Sequence, residues 1–220
     1  MPLKLIIGNK KYSSWSLRPW LLFKMAGIPF QEVRVFIRKP DTLQKIRKFS
    51  PAGRVPCLVD GKTRVWDSLS IVEYANELYP KKLLWPGDKT ARAEARSICA
   101  EMHSSFMDMR TRMNMNCLGY FPGKGLTPEV QKDIDRILEI WTACRKKYGK
   151  KGPFLFGAFT IADAYYAPVV FRFNTYAVKV DPISKKYMKT ILDLKPMKEW
   201  LAGARQEKEV IEAYEPYRKY

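Results

Sequence analysis

The stretch Tyr12-Ser13-Ser14-Trp15-Ser16-Leu17-Arg18-Pro19-Trp20 decides how this chain is read. Ahead of it stands Leu3-Lys4-Leu5-Ile6-Ile7, a short apolar run that reads as a strand. Behind it stands Leu21-Leu22-Phe23-Lys24-Met25-Ala26-Gly27, which reads as a helix closed by a glycine. Serines therefore sit where a strand hands over to a helix. Free backbone N–H groups and the positive end of the helix dipole meet there, so the place suits an anion or the ionised form of a bound acid. Ser16 is the expected N-cap, with Pro19 in the first turn.

Working outward, Phe30 to Phe36 alternates like a strand, which makes a βαβ unit with parallel strands. Asp41 to Lys48 reads as a short basic helix broken by Ser50-Pro51-Ala52-Gly53. A strand over Arg54 to Val59, an Asp60-Gly61 turn and a returning strand over Thr63 to Trp66 make a hairpin. Asp67-Ser68 then caps a helix over Leu69 to Tyr79. The order βαβ, helix, hairpin, helix predicts a thioredoxin-like α/β domain over residues 1–80. Pro80 and Pro86 mark a linker over 81–88, and residues 89–220 carry little strand signal and are expected to be all helical. Predicted there are one long helix from Thr90 to Asn116, a second from Thr127-Pro128-Glu129 to about Tyr148, and a third over Ala164 to Val178 behind the box Thr160-Ile161-Ala162-Asp163. Short helices follow near Ser184–Leu192 and Pro196–Ala204, and the tail beyond Glu215 is expected to be loose.

Composition narrows the function. The 220 residues carry a net charge of +18, shared by both halves: fourteen Lys and Arg against six Asp and Glu in residues 1–80, twenty-six against sixteen in the rest. Such a diffuse excess attracts anions but lacks the concentrated patch of a nucleic-acid binder. Cys57, Cys99, Cys117 and Cys144 show no metal spacing and His103 is the single histidine, so no metal site is expected. No apolar run approaches the roughly 18 residues that span a bilayer, and the N-terminus does not read as a signal peptide; the cytoplasm is the expected compartment.

Four pieces in order, SSWSLR (Ser13 to Arg18), SPAGRVPCLVDG (Ser50 to Gly61), WDSLSIVEYA (Trp66 to Ala75) and TIADAYY (Thr160 to Tyr166), resemble the cytosolic glutathione transferase superfamily over nearly the whole chain. The serine pair is most similar to the zeta-class motif. The resemblance implies a thioredoxin-like N-terminal domain, an all-α C-terminal domain and glutathione as co-substrate. It implies that Val55 and cis-Pro56 pair with the cysteinyl segment, that Asp67 and Ser68 hold the γ-glutamyl end, and that Lys45, Arg47 and Lys48 are candidates for the glycine carboxylate. Ser13 or Ser14 would donate to the sulfur, with Ser13 favoured by the motif and Trp15 beside them in the glutathione site. A thiol of pKa near 8.5 needs such help to ionise at neutral pH. Trp15 stands where zeta members have cysteine, which counts against cysteine-based redox chemistry.

Simple capping also accounts for Ser13, Ser14 and Asp67-Ser68, and Thr160-Asp163 reads as a folding cap. Cys57 reads as a buried strand residue and Arg18 as a surface or interface ion-pair residue. His103, Met107, Arg110 and Asn114 are spaced by four, three and four, so on a continuous helix they share a face and are the acceptor-substrate candidates. Met102, Phe106, Met109 and Met113 read as core. The expectation is a homodimeric transferase adding glutathione to a small electrophile, with Arg64 and Trp66 as interface candidates. Two alternatives stand beside it: a glutathione-dependent isomerase or peroxidase, and a non-catalytic module of the same fold that binds an acidic or RNA partner.

Overall fold

The structure, a computed structural model, describes residues 2–218. A four-stranded sheet is built from β1 (Leu3–Ile7), β2 (Phe30–Arg34), β3 (Cys57–Asp60) and β4 (Thr63–Val65), in the order β2-β1-β3-β4. β1 and β2 run parallel, with Leu3 opposite Phe30 and Ile7 opposite Arg34. β3 lies antiparallel to β1, with Leu5 opposite Leu58, and returns through the Asp60-Gly61 turn into β4. Side chains alternate across the sheet. Leu3, Leu5, Ile7 and Leu58 join the main core with α1 (Ser14–Met25) and α3 (Ser68–Leu78). Ile6, Cys57 and Val59 face the other way, onto Val35 and onto Ile46 of the short helix α2 (Thr42–Arg47). This is the thioredoxin-like arrangement the residue order predicts.

After α3 the described residues form helices, with two isolated antiparallel bridges over 154–158: α4 (Lys89–Ser104), α5 (Met107–Arg112), α6 (Pro128–Tyr148), α7 (Ile161–Thr175), α8 (Pro182–Asp193) and α9 (Lys195–Arg205). α7 is buried on every side except at Asn174, as expected of a helix apolar all round at the middle of a core. It starts from the predicted capping box. Asp163 accepts the Thr160 N–H at 2.9 Å and the Leu155 N–H at 3.0 Å, and complete burial pushes its carboxyl up to about 6. α1 packs against α7, so the helix that begins at the serines also joins the sheet to the helical layer.

Four expectations are corrected. The cap of α1 is Ser13, not Ser16, and Pro19 lies in the second turn; the helix runs on because only one intrahelical bond is lost. The long helix predicted from Thr90 to Asn116 breaks after Ser104. Phe106 adopts a left-handed conformation (φ 64°), and Met113 ends α5. The break is held from outside: Arg110 donates to the carbonyls of Ser105 and Met102 at the end of α4, and Asp133 of α6 accepts the Met109 N–H at 2.9 Å. Arg18 is fully buried rather than at the surface. The tail is packed through residue 218, with Glu215 on Lys11 and Tyr12 and the Tyr217 hydroxyl on the Arg112 carbonyl; the last two residues lie outside the described ones. The apolar readings hold: Met102, Phe106, Met109, Met113 and Cys57 are all buried.

Candidate active site

The loop from Gly8 to Ser13 carries the chain from β1 to α1, and long-range contacts pin it. Glu207 accepts the N–H groups of Lys10 and Lys11 at 2.6 and 3.0 Å. The Lys10 carbonyl accepts Trp200 Nε1–H at 2.7 Å. The Lys10 ammonium lies over the rings of Trp20 and Trp200 and pairs with Glu32 at 2.8 Å. Gly8 leaves the loop little slack, since a Cβ there would stand 3.2 Å from both Ser13 and Val55.

Within this loop the two serines do different things. The Ser13 hydroxyl donates to Ser16 Oγ at 2.7 Å and accepts the Ser16 N–H as the helix cap; Ser16 Oγ also accepts the Gly8 N–H at 3.0 Å. The Ser14 oxygen accepts from Arg172 of α7 at 3.4 Å, which leaves its own proton free to donate. Both residues are nearly closed off, 7% and 5% exposed.

A cavity of about 510 Å³ is lined by Trp15, Ala52, Arg54, Val55, Pro56, Trp66, Asp67, Ser68 and His103; Trp15 is the part of the serine motif that reaches it, and Ser13 and Ser14 stand outside its lining. The Val55–Pro56 bond is cis, as the resemblance implies. Asp67 caps α3 by accepting the Leu69 N–H. From Asp67 a polar chain crosses to the helical layer. Asp67 Oδ2 meets His103 Nε2 at 3.1 Å, His103 Nδ1 meets the Tyr165 hydroxyl at 3.4 Å, and that hydroxyl meets Ser68 Oγ at 3.1 Å. Burial depresses the His103 pKa, and nearby Arg18 and Arg110 add to this against the pull of Asp67. The imidazole is therefore neutral near pH 7.

Around Trp15 the predicted residues divide. Its ring meets His103 edge-on at 5.2 Å. The guanidinium groups of Arg18 and Arg110 lie over it at 4.2 and 4.9 Å, and Arg18 also lies over Tyr165 at 4.4 Å. Met107 and Asn114 are not brought along. Because the helix breaks, Met107 is 63% exposed and Asn114 falls past the end of α5, and neither lines the cavity. The shared face expected of His103, Met107, Arg110 and Asn114 is thus corrected: only His103 and Arg110 reach Trp15. Sequence reasoning missed Tyr165 and Arg172. The signal for Arg172 was there, a single arginine inside the apolar run Tyr165 to Phe173.

The four cysteines are free and buried. Among the described residues no cluster of His, Cys, Asp and Glu is placed to hold a metal ion, and no helix is long and apolar enough to cross a membrane. The site is therefore a hydroxyl-bearing helix mouth beside a cleft whose two walls come from the sheet and from the helical layer.

Known proteins place this arrangement. A family profile described as glutathione S-transferase, N-terminal domain, matches residues 12–78, and one described as glutathione S-transferase, C-terminal domain, matches residues 124–203. The chain is 25% identical to glutathione S-transferase Z2 of Arabidopsis thaliana over 187 residues, covering 79% of this chain and 80% of the relative. It is 25% identical over 171 residues to a probable maleylacetoacetate isomerase of Caenorhabditis elegans, covering 77% and 78%. A glutathione transferase homologue from Burkholderia, solved with bound glutathione, superposes with a TM-score of 0.71 over 94% of this chain and all of that one, at 22% identity. With both family profiles lying in order, one on a sheet domain whose first helix is capped by a serine and one on the helical layer behind it, the chain belongs to the glutathione S-transferase family.

Proposed function

We propose that this protein is a glutathione transferase that ionises the glutathione thiol at the mouth of α1 and adds the sulfur to a small electrophile. The observation that carries this is a cleft, lined by cis-Pro56, Asp67, Ser68 and His103, that Trp15 of the serine motif joins to the N-terminal end of α1. Glutathione lies in that cleft. The Val55 backbone pairs with its cysteinyl N–H and C=O as an added strand would. Asp67 and Ser68, at the N-terminus of α3, take the γ-glutamyl end, the helix terminus favouring its carboxylate. A serine hydroxyl donates to the sulfur, and the α1 dipole stabilises its negative charge.

The steps balance simply. The S–H proton leaves to water, the sulfur lone pair forms the new S–C bond, and a leaving group departs or a double bond takes up the electrons. No general base is needed, which suits a site whose one imidazole is tied to Asp67. The electrophile sits against Trp15 and His103, with Arg110 behind Trp15. We further propose that residues 1–80 and 89–220 are the two domains, that the protein works as a homodimer in the cytoplasm, and that glutathione is its only cofactor.

A second reading, glutathione-dependent isomerisation, is favoured by the relative named as a maleylacetoacetate isomerase. A panel of conjugation substrates beside a cis–trans isomerisation assay separates the two. The test of the main reading is calorimetric titration with glutathione and turnover of Ser13→Ala and Ser14→Ala. No affinity for the tripeptide, or full turnover in both variants, would sink it.

A further inference from the structure

Two buried arginines, Arg18 and Arg172, and the half-buried Arg110 converge behind the serine loop, and the ionisation of the thiol as described gives them no task. Arg172 is 5% exposed. Its Nε donates to the Met113 carbonyl at 2.9 Å and its Nη2 to Ser14 Oγ at 3.4 Å, while Nη1 has no partner among the described residues. Arg18 of α1 is fully buried, and its guanidinium is met by Tyr165 and by the Trp15 ring rather than by a carboxylate. Arg110 of α5 spends its donors on the backbone.

The charged and titratable groups facing Arg172 are Arg110 from α5, Arg18 from α1 and Tyr176 just past its own helix. Burial, with those two cations, brings its pKa down to about 9. Asp133 of α6 faces Arg110, and His103 of α4 and Tyr165 of α7 face Arg18. None of the three guanidinium groups has a carboxylate within 4 Å among the described residues. Buried charge of one sign without a counter-charge is unfavourable until an anion arrives. The anion that a glutathione transferase brings to Ser14 is the thiolate.

We propose that Arg172 is a positioning residue for the transferase reaction: it holds the Ser14 oxygen so that the Ser14 proton is presented to the glutathione sulfur, and its unneutralised charge favours ionisation of that sulfur. This rests on the transferase reading above. It also separates the two serines. Ser13 gives its proton to Ser16 and keeps the helix capped, whereas Ser14 has a proton to give. On ionisation the S–H bond breaks, the electron pair stays on sulfur and the proton leaves to water.

The test is a pH titration of the bound thiol by the ultraviolet absorbance of the thiolate, alongside the pH profile of kcat/KM. The proteins are the wild type, Arg172→Met, Arg172→Lys, Ser14→Ala and the double variant Ser14→Ala/Arg172→Met. A cation removed from within reach of a thiolate raises its midpoint, so Arg172→Met is expected to cut the thiolate fraction about tenfold on the acid side. The loss fades at high pH, where the sulfur ionises unaided. Arg172→Lys restores most of the ionisation, and in the Ser14→Ala background the Arg172→Met change costs less than about twofold.

An unmoved midpoint in Arg172→Met, or a loss equal at every pH, overturns the proposal. Should Arg172→Met not fold, a wild-type midpoint in Ser14→Ala overturns it equally. Failure of the wild type to hold any thiolate overturns the transferase reading and this inference together; a wild-type thiolate that Arg172→Met leaves unmoved overturns this inference alone.

Discussion

On one side of the serine loop, Lys10 and Lys11 are met by carboxylates: Glu32 on Lys10, Glu215 on Lys11, and Glu207 on the backbone of both. On the other side, Arg18, Arg110 and Arg172 meet ring faces, backbone carbonyls and one another. Both groups mix buried cations with half-buried ones: Lys10 with Lys11, and Arg18 and Arg172 with Arg110. The difference lies in the counter-charge. A cation with its own carboxylate fixes structure and has little field left for a visitor. A cation held by carbonyls and π faces keeps its field and can act on an anion that comes and goes. The loop is anchored by the first kind and turned toward chemistry by the second.

The contrast can be broken in order of expected effect. Glu207, whose side chain is fully buried, is the anchor of the neutralised side. Replacing it by Ala leaves the Lys10 and Lys11 N–H groups unmet and is expected to cost about 3 kcal/mol, two charge-assisted bonds at about 1.5 kcal/mol each. Thermal unfolding should fall by roughly 6–12 °C for a chain of this size; a shift within error would mean the anchor is ornamental. Next, Ser14→Ala should reduce kcat/KM by about a hundredfold, the usual loss of one donor to a developing anion. Ser13→Ala should instead cost about 1 kcal/mol of stability as a lost cap and leave kcat within a few-fold. The reverse pattern in steady-state kinetics and melting curves would exchange their roles.

The same chemical edit on the two sides gives a sharper comparison. Lys10→Met removes the closest counter-charge of Glu32 and is expected to destabilise by about 2 kcal/mol in urea titrations. Arg172→Met removes a cation that no carboxylate misses but leaves the buried Met113 carbonyl unmet, so it should destabilise by only about 1 kcal/mol. Equal losses would mean that the two clusters do not differ in kind. The smallest effect concerns His103, which is held neutral. Because its folded pKa lies below the usual 6.5, the stability it contributes is present above that value and is lost as pH falls through the folded pKa. The melting temperature of the wild type should therefore drop slightly more than that of His103→Gln between about pH 7 and 5. Parallel curves would show that the depression is not there.

What could be read from the sequence were the features that a few neighbouring residues decide. The Asp60-Gly61 turn, the Thr127-Pro128 start and the Thr160–Asp163 box each carry their cause within four positions. The four motifs, taken together, led to the cleft with its cis-Pro56, Asp67 and Ser68. What escaped was decided from far away. No proline or glycine marks the break at Ser105–Phe106, and the apolar spacing of Met102, Phe106, Met109 and Met113 runs straight through it; Asp133 of another helix and the side chain of Arg110 enforce it. Arg18 read as a surface residue because nothing near it in sequence announces Tyr165, the ring that shelters it. Met107 and Asn114 were drawn into the site only by the assumption that the helix continues.

The Glu215 clasp on Tyr12 joins positions 203 residues apart, and Glu207 reaches back 197 residues to Lys10. A ribosome therefore releases the serines long before the groups that set their loop. Until then the sheet can form, but the crevice for the tripeptide lacks its brace. Capture on immobilised glutathione should consequently discriminate between chains halted before Glu207 and chains that have passed Glu215, a readout of the loop's bracing rather than of sheet formation.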